Sequence, residues 1–332
     1  YTGRSPLEAA SMGIPLKHDD VTFRCNLVTL SEEENYADKT MIDYCAGDIS
    51  SEEAKVLIAY IQKNLGTGTF RFYNGVSYRH CLVWSKGNPH PGELTPPHDI
   101  TGKKIAAYIP KGENTAALYQ FMVKSYDLLE KHPINQKRRA CGKRPANSLW
   151  LWGEGQKPAL DSFESKFGLK GSVISAVDLL KGIGICAGMH TCNVPGATGY
   201  IDTNFAGKLQ AAVQELQNGQ DFVYIHIDAP DECGHRGELA NKIYAIEQID
   251  QLILSGLIRA LQKMGDHSIL VLPDHPTPLA TKTHCADPVP YFLYRSTVQT
   301  GSGVSVFDEA SAKNTGIFIQ KGDTLMNRFL KR

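Results

Sequence analysis

Neither sign of charge is in excess: Lys plus Arg total 35 and Asp plus Glu total 35 across 332 residues. A balanced chain carries no global field that would draw nucleic acid or an anionic membrane, so an anionic ligand must be held by local Arg and His clusters. No apolar run approaches the length of a membrane span, and the first residues lack a charged stretch followed by an apolar one. These absences predict a cytoplasmic protein with neither nucleic acid nor membrane as partner. The eight cysteines form no C-x-x-C pair, which predicts reduced thiols rather than a disulfide framework. Also missing are a Walker A pattern and a kinase-type Gly-rich loop, which argues against ordinary nucleotide use, and the sequence has no short internal repeat or low-complexity tract.

What is present suits a sizeable globular protein. Hydrophobic residues make up 42% of the chain, enough to bury a substantial core in two domains. Ser5, Pro6 and Glu8 have the spacing of an N-cap, first turn and capping box for a short helix that Gly13 ends. Val21 to Leu30 reads as a strand, and Ser50 with Glu53 caps an amphipathic helix that stops near Gly66. Asn74-Gly75, between Phe70–Tyr73 and Val76–Trp84, predicts a hairpin turn. A Pro- and Gly-rich loop follows, then a polar bridge around Lys111 to Asn114 that marks a domain boundary. Beyond it, strands at Ser148–Trp152, Val173–Ala176, Phe222–Asp228, Ile269–Leu272 and Val289–Tyr294 alternate with helices. A long helix lies between Glu238 and Lys263. Such alternation predicts an α/β fold with a mostly parallel, doubly wound sheet.

Metal-ligand chemistry clusters after those strands. In I-D-A-P-D-E-C-G-H-R-G, Asp231 and His235 stand four residues apart just past an apolar run. Asp274-His275 ends another such run, and His284 precedes the last strand. In open α/β sheets, loops at the carboxyl edges of strands build the site, so these oxygen and nitrogen donors are expected to converge on one or two divalent cations. Taken singly, each has a plainer reading: Asp274 as a turn residue before Pro276, or each His as a surface or satisfied core group.

The segments Y-T-G-R-S-P-L-E-A-A-S-M-G, F-R-C-N-L-V-T, S-Y-R-H, W-L-W-G-E-G, V-P-G-A-T-G-Y, D-A-P-D-E-C-G-H-R-G and D-P-V-P-Y-F-L-Y run across essentially the whole chain. Together they resemble the archaeal-type, cofactor-independent phosphoglycerate mutases of the alkaline phosphatase superfamily. The resemblance implies an alkaline-phosphatase-like core, residues 1–18 and 114–332, with a smaller inserted α+β domain at 19–113 that grips the substrate. It implies two metal ions, manganese or zinc with magnesium as a third option. Asp231, His235 and His284 would hold one ion, and Asp274 and His275 would help to hold the second. The implied reaction interconverts 3-phosphoglycerate and 2-phosphoglycerate through a phosphoserine, without 2,3-bisphosphoglycerate. The substrate, a small phosphorylated hydroxy acid, would meet Arg24, Arg79, His80 and His98, with Arg144 a weaker candidate.

Plainer readings stand beside these. Adjacent residues on a strand point to opposite faces, so only one of Arg79 and His80 faces a cleft unless a bulge intervenes. Arg24 reads equally as a solvated strand residue, His98-Asp99 as a helix-capping pair, and Arg144 as part of a charge run facing water. The P-D-H-P-T-P segment departs from the usual family pattern and suggests a bacterial branch proposed to act on homoserine. A kinase acting on homoserine or a related small alcohol is therefore one alternative; a phosphatase or phosphonate-processing enzyme and a non-catalytic metal-binding remnant are others. In the family, one metal-binding Asp and the nucleophilic Ser precede the Y-T-G-R-S-P motif. The catalytic serine is thus expected outside this sequence, and these residues alone are expected to be inactive, with the N-terminal segment or a second copy of the chain as partner.

Overall fold

The computed structural model describes residues 3–298, 301 and 303–330, which leaves Tyr1 and Thr2 of the first motif outside the described residues. The chain divides into two units. One comprises residues up to Leu160 together with Asp178–Ala187, and the other Asp161–Val177 and everything from Gly188 on.

The first unit is built on an antiparallel sheet. Its central strand β1 (Val21–Leu30) pairs with β2 (Met41–Asp43) at one end, with β4 (Arg79–Trp84) on one side and with β5 (Ser148–Gln156) on the other. β3 (Phe70–Val76) extends the sheet beyond β4. Period-two alternation sends Phe23, Cys25 and Leu27 into a core completed by Leu57, Ile58 and Ile61 of the helix Ser51–Leu65 and by Leu118 and Met122 of the helix Ala116–Leu129. Each Leu, Ile or Phe buried there contributes about 1.5–3 kcal/mol. Trp150 is fully buried, and its indole N–H donates to the Thr95 carbonyl at 2.8 Å, so the polar edge is satisfied. Because β5 pairs with β1 over most of its length, this unit extends well past residue 113.

Local details refine the sequence reading. Ser50 caps Ser51–Leu65 by accepting from the Glu53 N–H at 3.2 Å, as its spacing predicts. Ser5 does not cap: the first helix, Ser5–Ser11, begins at Ser5 itself, and the buried hydroxyl instead meets the Thr22 carbonyl at 3.1 Å. The hairpin turn falls at Ser77-Tyr78 rather than Asn74-Gly75. Gly75 sits in an irregularity of the β3–β4 register, where a Cβ would lie 2.2 Å from the Arg79 carbonyl oxygen, so the glycine permits close backbone approach. The helix Ser5–Ser11 packs on Asp178–Cys186, and the contact is so close at Gly182 that a Cβ would stand 1.9 Å from the Leu7 carbonyl oxygen.

The second unit carries the parallel part of the α/β fold. β6 (Gly171–Ile174) lies between β7 (His190–Cys192) and β8 (Phe222–Ile225), parallel to both. All four residues of β6 are buried, as expected of a strand covered on both faces. Parallel neighbours need crossover connections; the helix Phe205–Gln217 provides the one from β7 to β8. A two-stranded antiparallel pair follows, β9 (Ser268–Val271) with β10 (Phe292–Arg295). The long helical stretch appears as Leu239–Gln248, a π-helical Ile249–Leu254 and Ser255–Leu261. Of its apolar residues at helical spacing, Ile253 is buried whereas Leu239, Ile243 and Ile246 are exposed.

Candidate functional site

Asp231 and His235 do not sit on a loop, as the sequence reading has them, but on a short helix, Ala229–Arg236, that begins just after β8. The difference follows from local chemistry. Pro230 suits the first helical turn, and Gly237 ends the helix in a left-handed conformation. Spacing of four on a helix puts both side chains on one face, and His235 Nε2 lies 3.2 Å from Asp231 Oδ2. His284, in the segment leading to β10, completes a triad: its Nε2 is 3.0 Å from His235 Nε2 and 3.3 Å from Asp231 Oδ1. Asp274 and His275 follow β9 and adjoin the same cluster. The His275 ring lies against that of His284 at 3.7 Å between centroids, its Nδ1 is 3.9 Å from Asp231 Oδ1, and its Nε2 is 3.3 Å from Asp274 Oδ2.

The donor set fits a divalent cation. A tetrahedral ion about 2.0–2.1 Å from nitrogen and oxygen ligands separates those ligands by about 3.3 Å, close to the spacing of the Asp231, His235 and His284 ligand atoms, which all lie within 4.8 Å of one another. The surroundings orient these donors. The Lys282 carbonyl lies 3.0 Å from His235 Nδ1 and accepts from it when that nitrogen carries the proton, which frees the Nε2 lone pair for the cluster. The Thr277 hydroxyl donates to Asp231 Oδ1. Gly234 allows this packing, since a Cβ there would meet the Thr277 carbonyl oxygen at 2.5 Å. Asp228, immediately before the helix, has its carboxyl pushed up to about 6 by burial and by the neighbouring carboxylates of Asp231 and Glu232. Lys208 is fully buried beneath β8, donating to the His226 carbonyl at 3.0 Å.

The residues expected to touch substrate fall in the first unit, where Arg24, His98 and Arg79 gather around aromatic rings. The Arg24 guanidinium lies 4.3 Å from the Trp152 ring centroid and is paired with Glu8 at 3.0 Å. Burial lowers its pKa and Glu8 raises it, so Arg24 is not a solvated strand residue. His98 meets Trp152 edge-on at 5.4 Å and Tyr44 at 6.1 Å, and Tyr44 in turn meets Tyr78. Arg79 reaches over Tyr78 at 5.6 Å. Of the adjacent pair, Arg79 is exposed and His80 is 5% exposed. The His80 Nδ1 accepts from the Gly75 N–H at 3.1 Å, and burial drives its pKa down to about 3. Arg144 instead binds Asp43 at 2.7 Å and lines a pocket with Gly47, Ser50, Glu53, Arg138 and Lys143.

Sequence reasoning missed Thr277, Lys282, Asp228 and Lys208. Only Lys208 left a signal, a lysine within the largely apolar and small sequence F-A-G-K-L-Q-A-A-V. The others act through backbone carbonyls or through contacts that the fold creates.

Comparison with known proteins decides the relationship. Residues 1–135 match the family model described as 2,3-bisphosphoglycerate-independent phosphoglycerate mutase. A probable 2,3-bisphosphoglycerate-independent phosphoglycerate mutase of Geobacter sulfurreducens is 48% identical over 332 residues, 100% of this chain and 82% of that protein. The chain belongs to the 2,3-bisphosphoglycerate-independent phosphoglycerate mutase family. The mutase of Methanosarcina acetivorans is 47% identical with the same coverage. Among solved structures, a Pyrococcus horikoshii protein matches with TM-score 0.73 at 28% identity, covering 95% of this chain and 74% of that one. The cofactor-independent phosphoglycerate mutase of Thermoplasma acidophilum matches with TM-score 0.63 at 25% identity, covering 99% and 82%. The α/β architecture, with its parallel sheet and antiparallel additions, is therefore that of the phosphoglycerate mutase family and its alkaline-phosphatase-like fold.

Proposed function

We propose that this protein is a phosphoglycerate mutase that interconverts 3-phosphoglycerate and 2-phosphoglycerate, a step of glycolysis, without 2,3-bisphosphoglycerate. The observation that carries this reading is the near-half identity, over every residue of the chain, to proteins named for that activity. The clustered donors support it from the side of chemistry. Asp231, His235 and His284 would hold one divalent ion, and Asp274 and His275 would contribute to a second. Such ions, when bound, neutralise the non-bridging oxygens of a phosphoryl group and lower the pKa of a serine hydroxyl.

The chain's own residues do the rest. Thr277 and the Lys282 carbonyl fix the rotamers and tautomer of Asp231 and His235, so that the site forms without reorganising when the substrate arrives. Arg24 and Arg79 offer positive charge, and His98 an imidazole hydrogen-bonding edge, beside Trp152, Tyr44 and Tyr78, which suits the carboxylate and phosphate of a small hydroxy acid. Retaining that acid while its phosphate is on the enzyme is what makes the outcome a mutase rather than a phosphatase. The serine that carries the phosphate is not assigned among the described residues. Eight thiols, none in a disulfide among the described residues, fit the proposed cytoplasmic setting. Among those residues no helix is long and apolar enough to cross a membrane.

The test is a coupled assay of the full-length, manganese- or zinc-loaded protein with 3-phosphoglycerate and no 2,3-bisphosphoglycerate, run beside ATP plus homoserine. Formation of 2-phosphoglycerate, lost on chelation, is the expected result. Phosphorylation of homoserine with no mutase turnover would replace the proposal.

A further inference from the structure

We propose that His190, Cys192 and Glu215 form a second cation site, sharing no residue with the Asp231 cluster, that takes a thiophilic divalent metal of the zinc class. His190 and Cys192 are two apart on β7, so strand geometry puts both on one face. Glu215 comes from the last turns of the helix Phe205–Gln217. His190 Nδ1 is 2.7 Å from Glu215 Oε2 and 3.8 Å from Cys192 Sγ, and the ligand atoms of all three residues lie within 4.8 Å of one another. A tetrahedral ion about 2.0–2.1 Å from nitrogen and about 2.3 Å from sulfur separates those two donors by about 3.6 Å, so the pocket needs little rearrangement to close on a metal.

The site also has an outer layer. Ser172, fully buried on the neighbouring strand β6 and in register with His190, donates to Glu215 Oε2 at 2.5 Å. A hydrogen bond of that kind sets the direction of a ligating carboxylate. The Glu215 side chain is 12% exposed, whereas that of His190 is 59% exposed, which gives an ion a path from solvent. The mixture of sulfur, imidazole and carboxylate selects for zinc or cobalt over magnesium and calcium. By contrast, the triad Asp231, His235 and His284 contains no sulfur. Three protein ligands leave a fourth position for water or an external donor. On binding, the Cys192 S–H bond gives way to a sulfur–metal bond and its proton passes to solvent.

Without metal, the same groups make an ordinary hydrogen-bonded cluster on Glu215, and cobalt titration separates the two readings. The full chain, stripped with chelator, is titrated with Co²⁺ while thiolate-to-cobalt charge-transfer absorption is followed. The expected result is a charge-transfer band that saturates, is absent in Cys192→Ser and survives in Cys285→Ser. His190→Asn should weaken the cobalt affinity read from that band by at least ~10-fold. If Cys192→Ser does not fold, His190→Asn decides alone. No charge-transfer band in the unaltered chain, a band unchanged in Cys192→Ser, or unchanged affinity in His190→Asn would overturn the proposal.

Discussion

His284 Nε2 lies 3.0 Å from His235 Nε2, two imidazole nitrogens aimed at each other across the carboxylate of Asp231. Two protonated nitrogens would repel at this distance, so at least one presents a lone pair, and the Lys282 carbonyl beside His235 Nδ1 favours His235 in that role. The expected consequence is that His235→Ala loses divalent-metal affinity by about 100-fold or more, since altering even an outer-shell partner of a ligand costs about 10- to 100-fold. Isothermal titration with Mn²⁺ or Zn²⁺ reads the affinity, and thermal unfolding in chelator reads the fold. Undiminished manganese binding in this variant would remove His235 from the site.

Gly234→Ala tests the packing behind the cluster. The added methyl would stand 2.5 Å from the Thr277 carbonyl oxygen, so the loop carrying Thr277 must move, and with it the hydroxyl that donates to Asp231. We expect destabilisation of about 1–3 kcal/mol, the usual cost of overpacking, together with weaker metal binding. Thr277→Val removes the hydroxyl without the clash and should affect metal affinity more than stability. Equal metal affinity in both variants and the parent would show that Thr277 does not orient Asp231.

Arg79→Ala should raise the dissociation constant for 3-phosphoglycerate roughly 10- to 100-fold, because a charge-assisted hydrogen bond is worth about 1.5–3 kcal/mol. Arg79→Lys should restore only part of the loss, since a single ammonium cannot present the planar fork that an anion engages. The exposure of Arg79 predicts little change in melting temperature. Unaltered substrate affinity in Arg79→Ala would reduce it to a surface residue.

The buried His80 predicts a pH dependence of stability. Its folded pKa is about 3 because burial penalises the charged ring, whereas a free histidine titrates near 6.5. Above pH 6.5 both states hold the ring neutral and its contribution is fully present. Below that, the unfolded chain takes a proton that the fold refuses, so stability falls by up to about 1.4 kcal/mol per pH unit until about pH 3. His80→Asn keeps an acceptor for the Gly75 N–H but removes the titration. Urea midpoints from pH 7 to pH 4 should therefore fall less steeply in the variant; parallel curves would contradict the assignment.

Much of the fold and of the candidate site is legible in the sequence, for reasons that differ residue by residue. Apolar runs around Phe222 and Ile269 announce strands because burial demands them, and the donors at their carboxyl ends follow from where such strands deliver side chains. The spacing of Asp231 and His235 suits a helix as well as a loop, and Pro230 with Gly237 decided between them. Ser5 misled because a hydroxyl before Pro and Glu has the spacing of a cap, whereas the tertiary fold offered it the Thr22 carbonyl. Asn74-Gly75 misled for a related reason, as the glycine was needed for contact across the hairpin rather than for its turn. The orientation of Arg79 and His80 was undecidable locally, since a one-residue shift of register exchanges the two faces.

The chain passes between its two units after Leu160, Val177 and Ala187, so neither unit is a single continuous stretch of sequence. Ser11 finds its hydrogen-bond partner Asp178 167 residues later, and Gly182 meets Leu7 across a comparable gap. During vectorial synthesis the first helix must wait on the ribosome for a partner made after the whole antiparallel sheet, by which time β6 of the second unit has already emerged. A protease cut or circular permutation near Leu160 would therefore not release an autonomous first unit. The helix that covers Ser5–Ser11 arrives from downstream.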